Sequence, residues 1–438
     1  MNKNIINCAK SIRNHALGAI RGFTKGETVF DILKPMIIMA QCMLLTPYTY
    51  SVKSGEYFSH YNKPLLVIMG LFGSFYVHCI YIITQTKETV VGHFNGTILF
   101  KVGDFFRIYS NSFTVIVLFS GIFVNKHLYS VILTLLGDID KNFTLLGVNK
   151  HYERIKYKPY IGLCAIWVSF NFNFFINDTL AGYWDSKPTL YLWIAILIPW
   201  NVATYYAAVY CTVVMCLDHY LKILNGEICK ISKNEVFPMF NKIYKSSPLM
   251  TEEINKNVIF KTRKNIQLER LTMLWTIYDA ICDGASNLNR LFGLRILTIF
   301  CLSFTSLVFN TFFVWSIYVN ILHGKTTTKN YTFLIYCIQE IILHWANITV
   351  TVYICNSFKK QVIENYSNFI KFNKRLWQHS SIMLQHFSSE IIHRKPQFTA
   401  FGLFDIDNTL LLTVSKTLLF RHFFVGKSCF YKIQNQGL

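Results

Sequence analysis

Residues Leu294–Ile321 read LRILTIFCLSFTSLVFNTFFVWSIYVNI, a run in which Arg295 carries the only charge. A helix needs about 20 consecutive apolar residues to cross the hydrocarbon core of a bilayer, and this run exceeds that length. Its few hydroxyl and amide side chains can be accommodated among neighbouring helices. The stretch therefore predicts a transmembrane helix.

Six more runs on either side of this one reach spanning length. They are approximately Leu65–Thr84, Phe105–Val124, Tyr160–Ile176, Leu190–Leu217, Tyr331–Cys355 and Phe398–Phe420. An eighth run, Met36–Thr46, lies between Pro35 and Pro47 and is too short to span, so it reads as a re-entrant or interfacial segment. The sequence thus predicts an all-α membrane protein with seven transmembrane helices.

The composition agrees with a membrane protein. The chain has 438 residues, 52% hydrophobic and only 15% charged, whereas soluble globular proteins carry roughly 25% charged residues. Cytosolic enzymes and disordered proteins are therefore unexpected. A net charge of +20 would suggest nucleic acid in a soluble protein, but here it is interpreted as loop charge, with no nucleic-acid partner. The sequence has no C-x-x-C pair and no hydrolase, zinc-protease, dinucleotide or P-loop motif, so we expect no catalytic residue, metal or cofactor.

The distribution of basic residues predicts an orientation. If the short run Met36–Thr46 does not cross the membrane, the loops alternate between two sides. One side then holds residues 1–64, 126–158, 218–293 and 356–397, which carry 32 Lys and Arg residues. Residues 85–104, 177–189, 322–330 and the tail beyond Arg421 carry seven. Cytoplasmic loops are enriched in Lys and Arg. The N-terminus is therefore predicted inside and the C-terminus outside, opposite to G-protein-coupled receptors.

This orientation divides the chain into segments. Residues 1–64 are the cytoplasmic N-terminus with the re-entrant segment, 65–217 hold spans one to four, 218–293 form a cytoplasmic helical anchor region, 294–355 hold spans five and six, 356–397 are anchor helices, 398–420 form the last span and 421–438 the extracellular tail. Glycosylation sequons begin at Asn95, Asn177 and Asn330, all on or beside predicted outer loops. They are candidate glycan acceptors, with Asn95 the best placed.

Three short stretches resemble insect gustatory receptors. Residues Phe398–Leu411 read FTAFGLFDIDNTLL, similar to the family's last-span signature F-x-A-x-G-F-F-x-h-D-x-x-L-L. Leu288–Leu297 and His219–Asn225 resemble the family's patterns before its fifth span and at the inner end of its fourth. The signature's ending, T-Y-h-h-h-h-h-Q-F, is missing: after Val414 the chain continues SKTLLFRH. The match covers the whole hydropathy profile but is specific only in these pieces.

The resemblance implies a gustatory chemoreceptor in the plasma membrane of sensory neurons. It would be a ligand-gated, non-selective cation channel opened by a small-molecule tastant. Its partners would be membrane lipid and further receptor subunits, as a homotetramer or as a heteromer with related receptors. The last span would line the pore, with Phe404, Asp407, Leu411 and Val414 as candidate lining residues. The missing ending, and the charges of Lys416 and Arg421 in its place, put conduction in question. Alternatives are an odorant-receptor-type subunit, or a non-channel protein such as a transporter.

Polar groups inside a membrane are costly and mark candidate sites. In the sixth span, Glu340, His344 and Asn347 share one helical face, with Gln339 adjacent. Aromatic residues gather in the outer halves of spans four and five, where they suit a ligand pocket but also an interfacial belt. The candidate ligand-binding residues are Trp193, Trp200, Phe313, Trp315, Tyr318, Gln339, Glu340, His344 and Asn347. The alternative is an interhelical hydrogen-bond cluster that holds the bundle together.

Overall fold

A computed structural model describes residues 28–42, 48–53, 56–90, 98–150, 152, 158–180, 188–232, 252–322, 328–376 and 393–417. The structure is mostly helical. In chain order its elements are α1 (Val29–Cys42), β1 (Tyr48–Lys53), β2 (Glu56–Tyr61), α2 (Lys63–Thr86), α3 (Ile98–Val124), α4 (Lys126–Leu145), α5 (Lys158–Leu180), α6 (Leu190–Ser232), α7 (Glu252–Leu322), α8 (Thr328–Leu376), β3 (Thr399–Ala400) and β4 (Phe404–Asp405). A further helix covers residues 408–417.

Helix α1 contains the start of the predicted re-entrant run. It begins seven residues before Met36, because the backbone N–H and hydroxyl of Thr28 both donate to the Asp31 carboxylate and fix the first turn. At 14 residues the helix is about 21 Å long, shorter than the hydrocarbon core. Val29, Ile32, Met36 and Ala40 form its buried face. Residues 43–47, the end of the predicted run, lie outside the described residues.

Three long helices form the centre of the bundle. Helices α6, α7 and α8 pack against one another, and α3 and α4 pack against α6 or α7. Helices α6, α7 and α8 have 43, 71 and 49 residues and are about 65, 107 and 74 Å long. Each is therefore much longer than a hydrocarbon core about 30 Å thick. The predicted spans Leu190–Leu217, Leu294–Ile321 and Tyr331–Cys355 thus continue as helices past their predicted ends. Pro199 lies inside α6, which continues through it.

Four described helices contain a segment long and apolar enough to cross a membrane. These segments are Lys63–Thr86, Leu190–Ile231, Glu269–Val319 and Asn330–Ile370. Helices α3 and α5 cover two further predicted spans and leave large apolar side chains exposed, among them Phe113 and Phe172. Exposed apolar faces of this kind suit contact with lipid rather than water. Helix α4 follows α3 after only Asn125, so the predicted loop 126–158 is largely helical.

Two short hairpins depart from the predicted all-helical fold. Strands β1 and β2 pair antiparallel in a register that puts Tyr48 opposite Tyr61. Strands β3 and β4 pair antiparallel around a tight turn, where Phe401 and Gly402 have φ of 55° and 73°. A left-handed pair of this kind reverses the chain and cannot lie inside an α-helix. The prediction that Phe398–Phe420 is one continuous helix is therefore wrong at its start.

Candidate functional site

A charged cluster is buried between α3 and α8. Arg107 lies 2.9 Å from Asp104 on the same helix, and its Nη2 donates to the Tyr336 hydroxyl across the interface at 3.0 Å. The Arg107 and Asp104 side chains are 2% and 0% exposed. Glu340, one turn along α8 from Tyr336, is also buried and within electrostatic range of Arg107. The bundle therefore holds two carboxylates close to one guanidinium.

His344 extends this cluster to α6. Its Nε2 lies 3.4 Å from Glu340 Oε2, as the spacing of four residues on one helix allows. Its ring meets the Trp200 ring edge to face, with centroids 3.5 Å apart. Both side chains are buried. Three helices thus contribute to one site, which we call the polar cluster: Asp104, Arg107, Trp200, Tyr336, Glu340 and His344.

Several amide groups of the bundle have no hydrogen-bond partner among the described residues. The Nδ2 and Oδ1 atoms of Asn111 on α3 and of Asn310 on α7 have no partner there, and both residues are completely buried. Asn347 is buried too, and its Nδ2 has no partner within the described part of the chain. Buried polar atoms usually find partners, so an unpaired set is what a bound ligand or water would satisfy.

The aromatic candidates divide into separate groups. Phe313 is buried and joins the polar cluster through Phe333, whose ring stacks on Tyr336 at a centroid distance of 6.1 Å. Trp193 is buried against Phe174 of α5. Trp315 and Tyr318 pair with each other, and Tyr318 is exposed. Gln339 is only half-buried. The predicted set is thus brought together around Trp200, Glu340, His344 and, more distantly, Phe313.

Sequence reasoning missed the α3 half of the cluster. The apolar run that predicts this span begins at Phe105 and leaves Asp104 in an outer loop, whereas α3 begins earlier, at Ile98. Arg107 and Asn111 lie inside the predicted span, and neither is among the candidate residues. Charged and amide groups four residues apart in an apolar helix were the signal that could have identified them. Tyr336 was indistinguishable from an ordinary aromatic packing residue.

The candidate pore residues fall into two structural settings. Phe404 lies in β4, not on a helix, and its ring stacks on Phe300 of α7. Asp407 precedes the last helix, where its Oδ1 accepts from the Thr409 backbone N–H at 2.9 Å and its Oδ2 pairs with Lys359 at 2.7 Å. Leu411 is half-buried and Val414 buried, both within the helix over 408–417. Lys416 is exposed near its described end, and Arg421 lies outside the described residues.

The sequon residues are placed only in part. Asn95 lies outside the described residues. Asn177 lies within α5, close to its last residue Leu180. Asn330 is in the first turn of α8 and half-buried.

The stretch that resembles the inner end of the fourth span is held by a network to α4. Lys150 Nζ lies 2.8 Å from Asp140 Oδ1, and the Tyr152 hydroxyl donates to the same oxygen. Tyr152 also contacts the Tyr220 hydroxyl at 3.1 Å. Burial, and then the charge of Asp140, raise the pKa of Tyr152 far above its usual range. The phenol therefore stays protonated and remains a donor to Asp140 at any physiological pH.

The sequence model of the family described as 7tm Chemosensory receptor matches residues 33–419. The chain is 24% identical to gustatory receptor 28b of Drosophila melanogaster, over 91% of this chain and 85% of that protein. It is 19% identical to gustatory receptor 28a of the same fly, over 90% of each.

Solved structures share the fold. The insect olfactory receptor OR5 from Machilis hrabei matches with a TM-score of 0.62 at 9% identity, covering 90% of this chain and 97% of that one. Its complex with eugenol matches with a TM-score of 0.52 at 10% identity, covering 88% of this chain and 95% of that one. At these identities the likeness shows the fold alone.

Proposed function

Because this chain belongs to the 7tm chemosensory receptor family, we propose that it is a gustatory receptor that opens a cation channel when a small-molecule tastant binds. The observation that carries the proposal is the polar cluster, in which three helices of the bundle bring charged and aromatic side chains together. Groups of this kind are costly inside a membrane and are retained for function by default. The sequence relatives favour the gustatory type.

The cluster would serve as the polar wall of the tastant pocket. Glu340 and Asp104 can accept hydrogen bonds, and Asn111 and Asn310 can both donate and accept. Trp200 and Phe313 supply apolar surface. A tastant that offers hydrogen-bond donors beside an apolar body suits this set of groups. The OR5 structure with eugenol supports a small organic ligand in a bundle of this fold.

Opening requires that the tastant bind the open state more tightly than the closed one. The proposed route runs through α8, because that helix carries both Glu340 and Lys359, and Lys359 pairs with Asp407 at the start of the last helix. Leu411 and Val414 on that helix remain our candidate pore residues. We propose seven spans with the N-terminus inside, and assembly as a tetramer in the plasma membrane of sensory neurons.

Recordings of membrane current test the proposed channel function directly. The full chain is expressed in a cell without other chemoreceptors, and membrane current is measured against a panel of sugars, bitter compounds and amines. Surface biotinylation measures how much protein reaches the membrane. We expect an inward cation current for at least one tastant. If the chain reaches the surface and no compound evokes current, alone or with a co-expressed related receptor, the channel function is wrong.

The solved fold relatives favour one second candidate, an odorant-receptor-type subunit. Such a receptor would respond to volatile, mainly apolar compounds with few hydrogen-bond donors, such as eugenol, rather than to sugars or amines. Recordings with eugenol added to the panel separate the two, because a charged cluster such as Arg107 with Asp104 and Glu340 suits polar ligands.

A further inference from the structure

A cavity lined by none of the polar-cluster residues begins at Tyr205 of α6, five residues after Trp200. It has a volume of about 90 Å³, is partly open and is lined by α1, α4, α6 and α7. Met36 and Ala40 of α1 form one side, and Leu133 of α4, Val213 of α6 and Leu291 of α7 form others. The lining is almost entirely hydrocarbon. A cavity of this kind suits an alkyl chain and not a sugar or an ion.

A buried cation lies behind the wall of this cavity. The guanidinium carbon of Arg295 is 5.4 Å from the Tyr129 ring centroid, 5.3 Å from that of Tyr206 and 5.4 Å from that of Phe292. All three rings also line the cavity. Arg295 is 1% exposed. The positive charge therefore lies one aromatic layer away from the apolar space.

The charge of Arg295 is not compensated within the described part of the protein. Its Nη1 donates to the Tyr129 hydroxyl, whereas Nε and Nη2 have no acceptor there. No described carboxylate forms an ion pair with it. Ring faces attract a cation but replace only part of its hydration. An unpaired buried charge is costly, so an anion nearby would stabilise the folded protein.

Tyr129 connects this charge to the cavity. Its hydroxyl oxygen accepts from Arg295, so its own proton is left to donate, and its ring forms part of the cavity wall. A hydroxyl that accepts from a guanidinium is a stronger donor than a free phenol. The cavity thus offers hydrocarbon walls and one hydroxyl donor with a positive charge behind it.

We propose that this cavity binds an acyl chain of an anionic phospholipid, whose phosphate accepts a hydrogen bond from Tyr129 next to the charge of Arg295. The positions fit a lipid of the cytoplasmic leaflet, since Arg295 lies in the first turn of the apolar run Leu294–Ile321 and that leaflet is rich in anionic lipid. The choice of leaflet rests on the orientation proposed above; the cavity and its chemistry do not.

The bound lipid would also brace α1. Tyr205 donates to the Met36 carbonyl at 2.5 Å and Thr212 contacts the Met36 sulfur at 3.0 Å, so α1 is already fastened to α6 at the cavity. An acyl chain between them fills the remaining space and adds dispersion contacts with both helices. The lipid is then a structural ligand of the short first helix.

Photolabelling tests the proposal without any need for channel activity. The purified full chain is placed in nanodiscs of phosphatidylcholine with a trace of phosphatidylserine that carries a diazirine on one acyl chain, and labelled peptides are mapped by mass spectrometry. We expect label on the cavity residues of α1 and α6. Unlabelled phosphatidylserine should compete about tenfold better than phosphatidylcholine, because its net negative charge is attracted to Arg295, whereas the phosphate of phosphatidylcholine is neutralised by its own choline.

Two variants and one control sharpen the test. Val209→Phe fills the cavity and should remove the label from α1, whereas Ile198→Phe, on the same helix but outside the lining, should not. Tyr129→Phe should keep the label but weaken competition by both phospholipids, because the phosphate that they share loses its hydrogen-bond donor. Label confined to the outer lipid-facing side chains, or equal competition by phosphatidylcholine, would overturn the proposal. Equal competition by a free fatty acid would assign the cavity to that ligand instead.

Discussion

Lys359 of α8 and Asp407 at the start of the last helix form an ion pair, with Nζ and Oδ2 2.7 Å apart. The same aspartate holds the first turn of that helix through the Thr409 backbone N–H and hydroxyl. Asp407 therefore has two structural roles, one between helices and one within a helix. The two interactions contribute different amounts to stability, so substitutions can separate their effects.

We expect the helix-capping role of Asp407 to matter more than the ion pair. Lys359 is 45% exposed, so its pair contributes about 0–1 kcal/mol. Loss of a capping side chain costs about 0.5–2 kcal/mol. Asp407→Ala should therefore lower the thermal unfolding midpoint of the detergent-purified protein more than Lys359→Gln does. Asp407→Asn, which retains the cap, should resemble Lys359→Gln. Equal losses from Lys359→Gln and Asp407→Ala would refute this order.

A second prediction concerns the polar cluster. Glu340→Gln removes one carboxylate charge beside Arg107 and His344 and should shift tastant potency about tenfold, as loss of one charge-assisted hydrogen bond does. Dose–response currents measure the shift, and surface biotinylation measures expression. Glu364→Gln on the exposed side of α8 is the matched control. Loss of expression at unchanged potency would instead indicate a purely structural hydrogen-bond cluster.

A third prediction concerns the close contact between α3 and α7. A Cβ added to Gly121 would lie 2.7 Å from Nε and 2.8 Å from Nη2 of Arg295. Arg295 is held by three rings and cannot swing aside freely, so Gly121→Ala should destabilise the protein by about 1–3 kcal/mol. Gly70→Ala, where the space is empty, should be neutral or slightly stabilising because alanine favours helix. A thermal shift assay that ranks the two variants the other way would contradict the packing.

The orientation can be tested with epitopes. The difference of 32 against seven basic residues predicts a cytoplasmic N-terminus. An epitope inserted after Met1 should bind antibody only in permeabilised cells, and one after Leu438 should bind in intact cells. Sensitivity of the Asn95 sequon to glycosidase, lost in Asn95→Gln, would agree. Labelling of the N-terminal epitope on intact cells would exclude the inverted orientation.

The last prediction concerns the family ending that is missing after Val414. Lys416 and Arg421 put positive charge where the family's pore helix is apolar, and a central charge costs about 2.5–3.5 kcal/mol on insertion scales. We expect the chain as written to insert its last span poorly or to conduct weakly. Replacement of the residues after Val414 by a T-Y-h-h-h-h-h-Q-F ending should raise the current at equal surface expression. Large tastant-evoked currents from the unchanged chain would show that its own ending works.

Helix content could be predicted from the sequence because it depends on apolar runs, which periodicity and length reveal directly. The Glu340–His344 pair was predicted for the same reason, since two polar residues four apart on one apolar helix must share a face. The partners of that pair were not predictable, because contact with Arg107 and Trp200 depends on how three helices cross. The β3–β4 hairpin was missed because counts of apolar residues do not register a left-handed turn such as that at Phe401 and Gly402.

The lengths of α6, α7 and α8 set how the protein can respond to its bilayer. A single helix whose apolar stretch is longer than the bilayer is thick adapts by tilting. Here each long helix is also held beyond its predicted span: α6 to α8 by the contact of Asn225 with Asn365, and α7 to the chain before β3 by Asp279 and Asp283 with Arg394. One helix cannot tilt alone without disturbing those contacts. Lipid acyl-chain length should therefore change the arrangement of the whole bundle. Bilayer thickness would then affect this chemosensory receptor in addition to its chemical ligand.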